Sequence, residues 1–321
     1  MNSPPVPAGG TSGGPSLVFL GTPDFAVPGL DLLVQAGFRP SVVVTAPDRP
    51  RGRGLHPRPV PVKLAALRHG LPVLQPESLR EPAFLSSVRE LRPDIMVVAA
   101  FRILPVEVYS MARLGSFNLH ASLLPRYRGA APIQWALING ERETGVTTFL
   151  LQEKVDTGAV LLQARTDIAP EEDAGSLHDR LSLLGARLVV ETVGMLLGGK
   201  AAPLPQDDAQ ATPAPRIFRE DCRLRWDAPA ARLHDRIRGL APAPGAFSLL
   251  EGGLVKLFRS RVTELPPFGA PGALRVEEDM LEVACSDRVL EIQELQQEGR
   301  KRMTAPRFIR GARLGPGLRF S

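Results

Sequence analysis

The sequence predicts an α/β chain: an open, mostly parallel sheet covered by helices on both faces, followed by a small β-barrel. Three observations carry that prediction. Short apolar runs alternate with amphipathic stretches from Ser16 to about residue 197, the pattern of strand–helix–strand units. The runs are almost purely apolar, as in strands buried on both faces. After Gly245 the texture changes to short strands separated by Gly, Pro and Asp, which suits a small barrel.

The elements follow in order. Ser16-Leu17-Val18-Phe19-Leu20 reads as a first buried strand, and residues 25–36 as a helix that stops near Gly37. Val42-Val43-Val44 is a second strand, and a Pro-, Arg- and Gly-rich loop fills 46–61. A helix at 62–69, a strand at 72–74 and a helix at 81–91 come next. Asp94 to Ala100 is the clearest buried strand, followed by a helix at 105–112 and a strand at 115–120. A helix near 132–139, strands at 145–151 and 159–168, and a long helix at 174–197 complete this part. The polar stretch that follows, with Pro203, Pro205, Pro213 and Pro215, reads as a linker. Beyond it a helix is expected at 229–239, with Asp227 as its N-cap and Pro229 in its first turn. Strands are expected at 246–250, 254–262, 273–276, 280–285 and 289–295. The domain plan is a disordered tail at 1–15, a first domain at 16–202, a linker at 203–219 and a second domain at 220–321.

Composition bounds the function. The chain has 321 residues and a hydrophobic fraction of 44%, ordinary for a soluble globular protein. No stretch approaches about 18 uninterrupted apolar residues, so no membrane span is expected. The first 15 residues carry no charge and no apolar core, unlike a signal peptide. Cys222 and Cys285 form no metal-type spacing, and two packed thiols fit a reducing cytoplasm. The net charge of +5 resides in residues 216–321, while residues 1–215 balance. A basic second half points to an anionic partner, nucleic acid first. The first strand is followed by Gly21-Thr22-Pro23-Asp24-Phe25-Ala26, which is not a dinucleotide fingerprint, and no Walker pattern occurs. A nicotinamide or ATP cofactor is disfavoured, and no metal-ligand cluster is evident.

The candidate chemistry centres on Asn118 and His120. Two apart on a strand, they share one face, and the Pro and Gly that follow end the strand and hold a turn. Asp156, in Val155-Asp156-Thr157-Gly158, comes after one more helix and strand. Strand carboxyl ends are where such sheets bind ligands. An amide and an imidazole there can stabilise the oxygen of an acyl group under attack. A carboxylate can accept the proton an attacking amine sheds. Singly, each residue has a plainer reading, as a turn former, a structural histidine or a common Asp-Thr-Gly turn. Their conjunction points to acyl transfer without identifying the reaction. From Arg49 to Lys63 inclusive there are five cations and no anion, a loop fit for phosphates or, more plainly, a solvated surface. Phe101-Arg102-Ile103-Leu104-Pro105 leaves the strongest strand and offers free backbone groups to a flat heterocycle, or is a plain turn.

Taken together, these motifs resemble the methionyl-tRNA formyltransferase family of 10-formyltetrahydrofolate-dependent enzymes. The resemblance runs through Gly21 to Ala26, Pro47-Asp48-Arg49-Pro50 with Gly52-Arg53-Gly54, Asn118 to Gln134, Glu143 to Thr147 and Asp156-Thr157-Gly158. It continues through Arg223 to Asp227, Ile237-Arg238-Gly239-Leu240 and Phe308 to Gly311. It implies a Rossmann-like formyltransferase fold followed by an OB-like barrel that helps hold tRNA. It implies Asn118, His120 and Asp156 as the catalytic trio. Folate would meet Ser122, Leu123, Leu124 and Pro125, together with Phe101, Arg102 and Leu104. The tRNA would meet Arg49, Arg51, Arg53 and Lys63. The expected activity is formyl transfer from 10-formyltetrahydrofolate to methionyl initiator tRNA, by a cytoplasmic monomer without metal. The alternatives are a small-amine formyltransferase acting on a purine precursor or an amino sugar, and a non-catalytic tRNA-binding protein. Phe101-Arg102 stands where many members have Tyr-Gly, and Lys154-Val155 where many have Gly-Leu.

Overall fold

The computed structural model describes residues 14–50, 57–311 and 317–321. The chain forms two compact units. One comprises residues up to Gly129 with Gly145–Thr166 and Asp179–Pro213; the other takes Ala130–Thr144, Asp167–His178 and Ala214–Ser321.

In chain order the elements begin with β1 (Leu17–Gly21), α1 (Val27–Gln35) and β2 (Val42–Val44). The stretch read as an open loop contains a two-residue antiparallel ladder, β3 (Arg49–Pro50) with β4 (Pro57–Arg58). Then come α2 (Pro61–Arg68), β5 (Val73–Leu74), α3 (Pro82–Glu90), β6 (Ile95–Ala99) and α4 (Val106–Tyr109). The latter is a single turn, shorter than its apolar spacing suggests. β7 (Ser116–His120), α5 (Pro132–Ile138), β8 (Glu143–Leu150), β9 (Val160–Asp167) and α6 (Ala174–Leu197) follow.

Seven of these strands form one sheet in the order β5-β2-β1-β6-β7-β8-β9. Strands β5, β2, β1, β6 and β7 run parallel, and β8 is antiparallel to β7. The parallel-dominant, Rossmann-like sheet expected from the sequence is therefore present. Strands β1, β2 and β6 are buried at every residue. One face packs Val18, Leu20, Val42, Val44, Met96 and Val98 against Phe84 and Val88 of α3 and Val108 of α4. On the other face Phe19 lies against Gly29 of α1, and Leu119 against Gly185 of α6. Burial on both faces explains why these strands read as unbroken apolar runs.

In the second unit, α7 (Ala230–Leu240) precedes β10 (Ala246–Leu250), β11 (Gly253–Val262), β12 (Leu274–Glu277), β13 (Met280–Ala284), β14 (Val289–Gln297), β15 (Met303–Thr304) and α8 (Ala305–Gly311). The strands form an antiparallel sheet in the order β10-β11-β14-β13-β12, with β15 on β14. A bulge bends β11 between Leu257 and Ser260. The barrel closes through a segment that sequence patterning did not reveal. Phe320 bridges Leu250 at the end of β10, and Arg319 bridges Ala273 beside β12. Inside, Trp226 stacks on Phe320 at 5.3 Å and donates Nε1–H to Ser248 Oγ at 3.0 Å.

Helix α7 turns Ala230, Leu233, Ile237 and Leu240 to that core, a 3–4–3 spacing. Its N-cap is Pro229, not the expected Asp227. Proline has no capping side chain, so the first free amide, Ala230 N–H, is satisfied from a distance by Asp287 Oδ1 at 2.7 Å.

Candidate active site

Strand β7 delivers Asn118 and His120 to the carboxyl end of the sheet, as its two-residue spacing requires. Asn118 pairs across to Val98 on β6 and Phe149 on β8, and His120 to Thr147. The Asn118 side chain is half-buried and makes no hydrogen bond among the described residues. His120 is buried, its ring edge-on to Phe149 at 6.4 Å.

The orientation of the imidazole comes from the loop after β7. His120 Nε2 lies 2.8 Å from the Tyr127 carbonyl oxygen. A carbonyl only accepts, so Nε2 carries the proton and, in the neutral ring, Nδ1 is the bare nitrogen. Nδ1 faces Asp156 Oδ2 at 3.8 Å. That is too long for a direct hydrogen bond, so the two groups are charge neighbours held by separate anchors. Asp156 is held by the Gly129 N–H, which donates to Oδ2 at 2.9 Å. Both side chains are about nine-tenths buried, at 7% and 11% exposed. A charge formed on the ring would therefore be weakly screened from the carboxylate.

Two residues adopt left-handed backbone to make this geometry: Tyr127 at φ 60° and Asp156 at φ 56°. Each costs on the order of 1–3 kcal/mol outside glycine and is retained only where surroundings impose it. The surroundings are visible. Ser122 Oγ donates to the Arg126 carbonyl at 2.6 Å, and Thr147 Oγ1 donates to the Ser122 carbonyl at 2.6 Å. Thr147 Oγ1 also accepts from Leu124 N–H at 3.1 Å and from Gln163 Nε2 at 3.0 Å.

The other sequence-predicted residues fall as follows. Ser122 and Leu124 are buried, whereas Leu123 and Pro125 are half-buried. Phe101 and Leu104 join the apolar cluster on the α3–α4 face of the sheet. Arg102 turns away to donate to the carbonyls of Glu77, at 2.8 Å, and Pro76, at 2.5 Å. Arg49 is exposed and pairs in the ladder with Arg58. Arg51 and Arg53 lie outside the described residues. Lys63 is engaged with Asp48 at 2.5 Å, and Gln75 Nε2 donates to the other Asp48 oxygen at 2.9 Å. Burial pushes the Asp48 carboxyl up, but its bonds to Lys63 and Gln75 and the nearby ammonium charge outweigh this and leave it below the usual carboxylate range. No cluster of three or more His, Cys, Asp or Glu suited to a metal occurs among the described residues. None of their helices is long and apolar enough to cross a membrane.

Sequence reasoning missed three contributors. The Tyr127 carbonyl and the Gly129 amide are backbone groups, which no residue type announces. The third is the stretch read as a linker. Leu204 and Val160 exchange two backbone hydrogen bonds of 2.8 Å each. Gln206, Asp208 and Thr212 then contact the loops that carry Tyr127 and Asp156.

Comparisons with known proteins agree with this architecture. A family model described as "Formyl transferase" matches residues 16–193, and one described as "Formyl transferase, C-terminal domain" matches residues 216–313. A methionyl-tRNA formyltransferase of Chlorobium luteolum is 50% identical over 303 residues, covering 92% of this chain and 96% of its own. The enzyme of that name from Geobacter metallireducens is 47% identical over 309 residues, covering 96% and 99%. Among solved structures, an N-formyltransferase from Helicobacter canadensis in complex with folinic acid and dTDP-3-aminofucose matches with a TM-score of 0.68 at 19% identity, over 88% of this chain and 100% of its own. HypX from Aquifex aeolicus in complex with tetrahydrofolic acid matches with a TM-score of 0.63 at 17% identity, over 92% of this chain and 46% of its own. At such identities these two establish the fold alone. With relatives that match along almost their whole length, and a family model for each part of the molecule, the chain belongs to the methionyl-tRNA formyltransferase family.

Proposed function

We infer that this chain transfers the formyl group of 10-formyltetrahydrofolate to the α-amino group of methionyl initiator tRNA. The observation that carries the reading is the buried His120 whose Nε2–H is tied to a backbone carbonyl, leaving Nδ1 toward Asp156. The names of the near-full-length relatives supply the acceptor.

The chemistry follows from that tautomer. The amine nitrogen attacks the formyl carbon, a C–N bond forms, and the carbonyl π electrons move to oxygen. The Asn118 amide, with no side-chain hydrogen bond among the described residues, donates to that oxygen. The amine proton passes to the bare His120 Nδ1, and the imidazolium so formed faces the Asp156 carboxylate. As the carbon–N10 bond breaks, Nδ1 returns the proton to N10, releasing tetrahydrofolate and the formylated amine. Asp156 acts as counter-charge and orienter in this scheme, with the ring as proton carrier. Phe101 and Leu104, with Leu123 and Pro125, supply the apolar contacts proposed for the folate ring system. Ser122 serves by holding the loop. Arg49, Arg51 and Arg53 are proposed to meet tRNA phosphates, with Lys63 bracing the base of their loop through Asp48.

The test is formyl transfer to methionyl initiator tRNA by wild type and by Asp156→Asn and His120→Gln, at saturating folate. Both variants should lose about 100-fold or more in kcat. Transfer to a small amine but never to tRNA would retain the chemistry and overturn the acceptor. Near-wild-type turnover in either variant would overturn the mechanism.

A further inference from the structure

We propose that Gln206, in the segment that resembles a linker, is a positioning residue for the His120–Asp156 pair. This rests on the catalytic reading of that pair. The Gln206 carboxamide bridges the two loops on which the pair depends. Its Oε1 accepts from Arg128 Nε at 3.0 Å and from an Arg128 terminal nitrogen at 2.7 Å. Its Nε2 donates to the Asp156 carbonyl at 3.0 Å and to the Gly158 carbonyl at 2.8 Å. An amide offers two donors and an oxygen with two lone pairs; here all four are used. The assignment of oxygen and nitrogen is chemically forced, because the flipped amide would set its NH2 against a guanidinium and its oxygen against two carbonyls.

The consequence is specific. Arg128 lies between Tyr127, whose carbonyl holds His120, and Gly129, whose amide holds Asp156. Thr212 completes the clamp: its Oγ1 accepts from Tyr127 N–H and its carbonyl from Arg128 N–H, each at 2.9 Å. Asp208, on the same segment, pairs with the Arg128 guanidinium at 2.7 Å. Gln206 therefore couples the backbone that sets the imidazole tautomer to the left-handed residue that aims the carboxylate. Shifting either loop by a fraction of an ångström changes the 3.8 Å separation between them. The folate contacts proposed at Phe101 and Leu104 lie on the loop after β6 and would be untouched.

The experiment compares wild type with Gln206→Met, which removes all four bonds at similar volume, and Gln206→Glu, which keeps the Arg128 contact and loses both donors. Gln210→Ala is the control, since among the described residues Gln210 Nε2 bonds only to Asp207 Oδ2, at 2.8 Å. Two readouts are taken: formyl transfer to methionyl initiator tRNA, and amide hydrogen exchange of the free enzyme. For both Gln206 variants kcat should fall about tenfold or more, while KM for folate and for tRNA stays within about twofold. Exchange at residues 127–130 and 155–158 should quicken, while that of β1 and β6 stays unchanged. The control should match wild type in both. Unchanged kcat, exchange that quickens throughout the molecule, or a loss confined to KM would each overturn the proposal. If wild type formylates no tRNA, the functional reading fails on its own, and the exchange arm still reports whether Gln206 holds the two loops.

Discussion

Replacing Gly158 by Ala should disable the enzyme without unfolding it. Gly158 sits two residues after Asp156, where the chain crosses the end of β8. A Cβ built there would lie 1.7 Å from the Leu150 carbonyl oxygen, 2.8 Å from its carbon and 3.3 Å from Phe149 Cδ2. Carbon and oxygen need roughly 3.2 Å, so about 1.5 Å of backbone movement is required. Leu150 cannot supply it. Leu150 pairs with Phe117 on β7, and its N–H donates to the Ala159 carbonyl at 2.9 Å. The movement falls on the turn carrying Asp156. A misplacement of about 1 Å in a catalytic group can cost about 100-fold in rate, or about 2.7 kcal/mol in activation free energy. The stability cost of such overpacking is about 1–3 kcal/mol. The assay is single-turnover formyl transfer at saturating substrates, with urea unfolding of the same sample. The comparison is Gly199→Ala, at φ 63° with nothing within 4 Å of the added methyl, which should lose about 1 kcal/mol of stability and no kcat. A cooperatively folded Gly158→Ala protein with kcat within about twofold of wild type would refute the reasoning.

Thr147→Val keeps the shape of a buried side chain but deletes a hydroxyl that serves Ser122, Leu124 and Gln163. Leaving those partners unpaired should cost about 2–4 kcal/mol in urea unfolding. Cys222 and Cys285 are free and buried. Burial pushes both thiols up, Cys285 to about 12, so neither should react with a thiol reagent at pH 8 until the protein is unfolded. Asp94 accepts from Ser16 N–H at 2.9 Å and pairs with Arg113 at 2.6 Å. The Ser16 amide foremost, and then Arg113, hold its carboxyl below the usual range against the opposing effect of burial. A depressed folded value gives stability that is present above the unfolded value and lost as pH falls through the folded one. Asp94→Asn should therefore lower the urea midpoint at pH 7, and the difference from wild type should shrink as pH falls through the lowered folded value and vanish below it.

Much of the fold was legible because burial on both faces leaves an unmistakable trace. Strands β1, β2 and β6 could only be apolar throughout, and α7 could only show its 3–4–3 face. Asn118 and His120 were legible for the same kind of reason: a two-residue spacing on a strand puts both side chains on one face whatever surrounds them. The barrel-closing residues Arg319 and Phe320 were not, since a pair of isolated bridges has no period to detect. Nor was the cap of α7, because Asp287 lies far along the chain from Ala230.

The sequence by itself determined which side chains were candidates for the chemistry: an amide, an imidazole and a carboxylate, carried by a mostly parallel sheet. Only the tertiary structure decided how they are held. The proton on His120 is placed by the carbonyl of Tyr127, Asp156 is held by the amide of Gly129, and the loops that carry them are joined by the Gln206 side chain. Two of these three are backbone groups, common to nearly every residue. Their meaning arises from where the fold brings them, and hydrogen bonding depends on position and direction that residue identity alone does not encode.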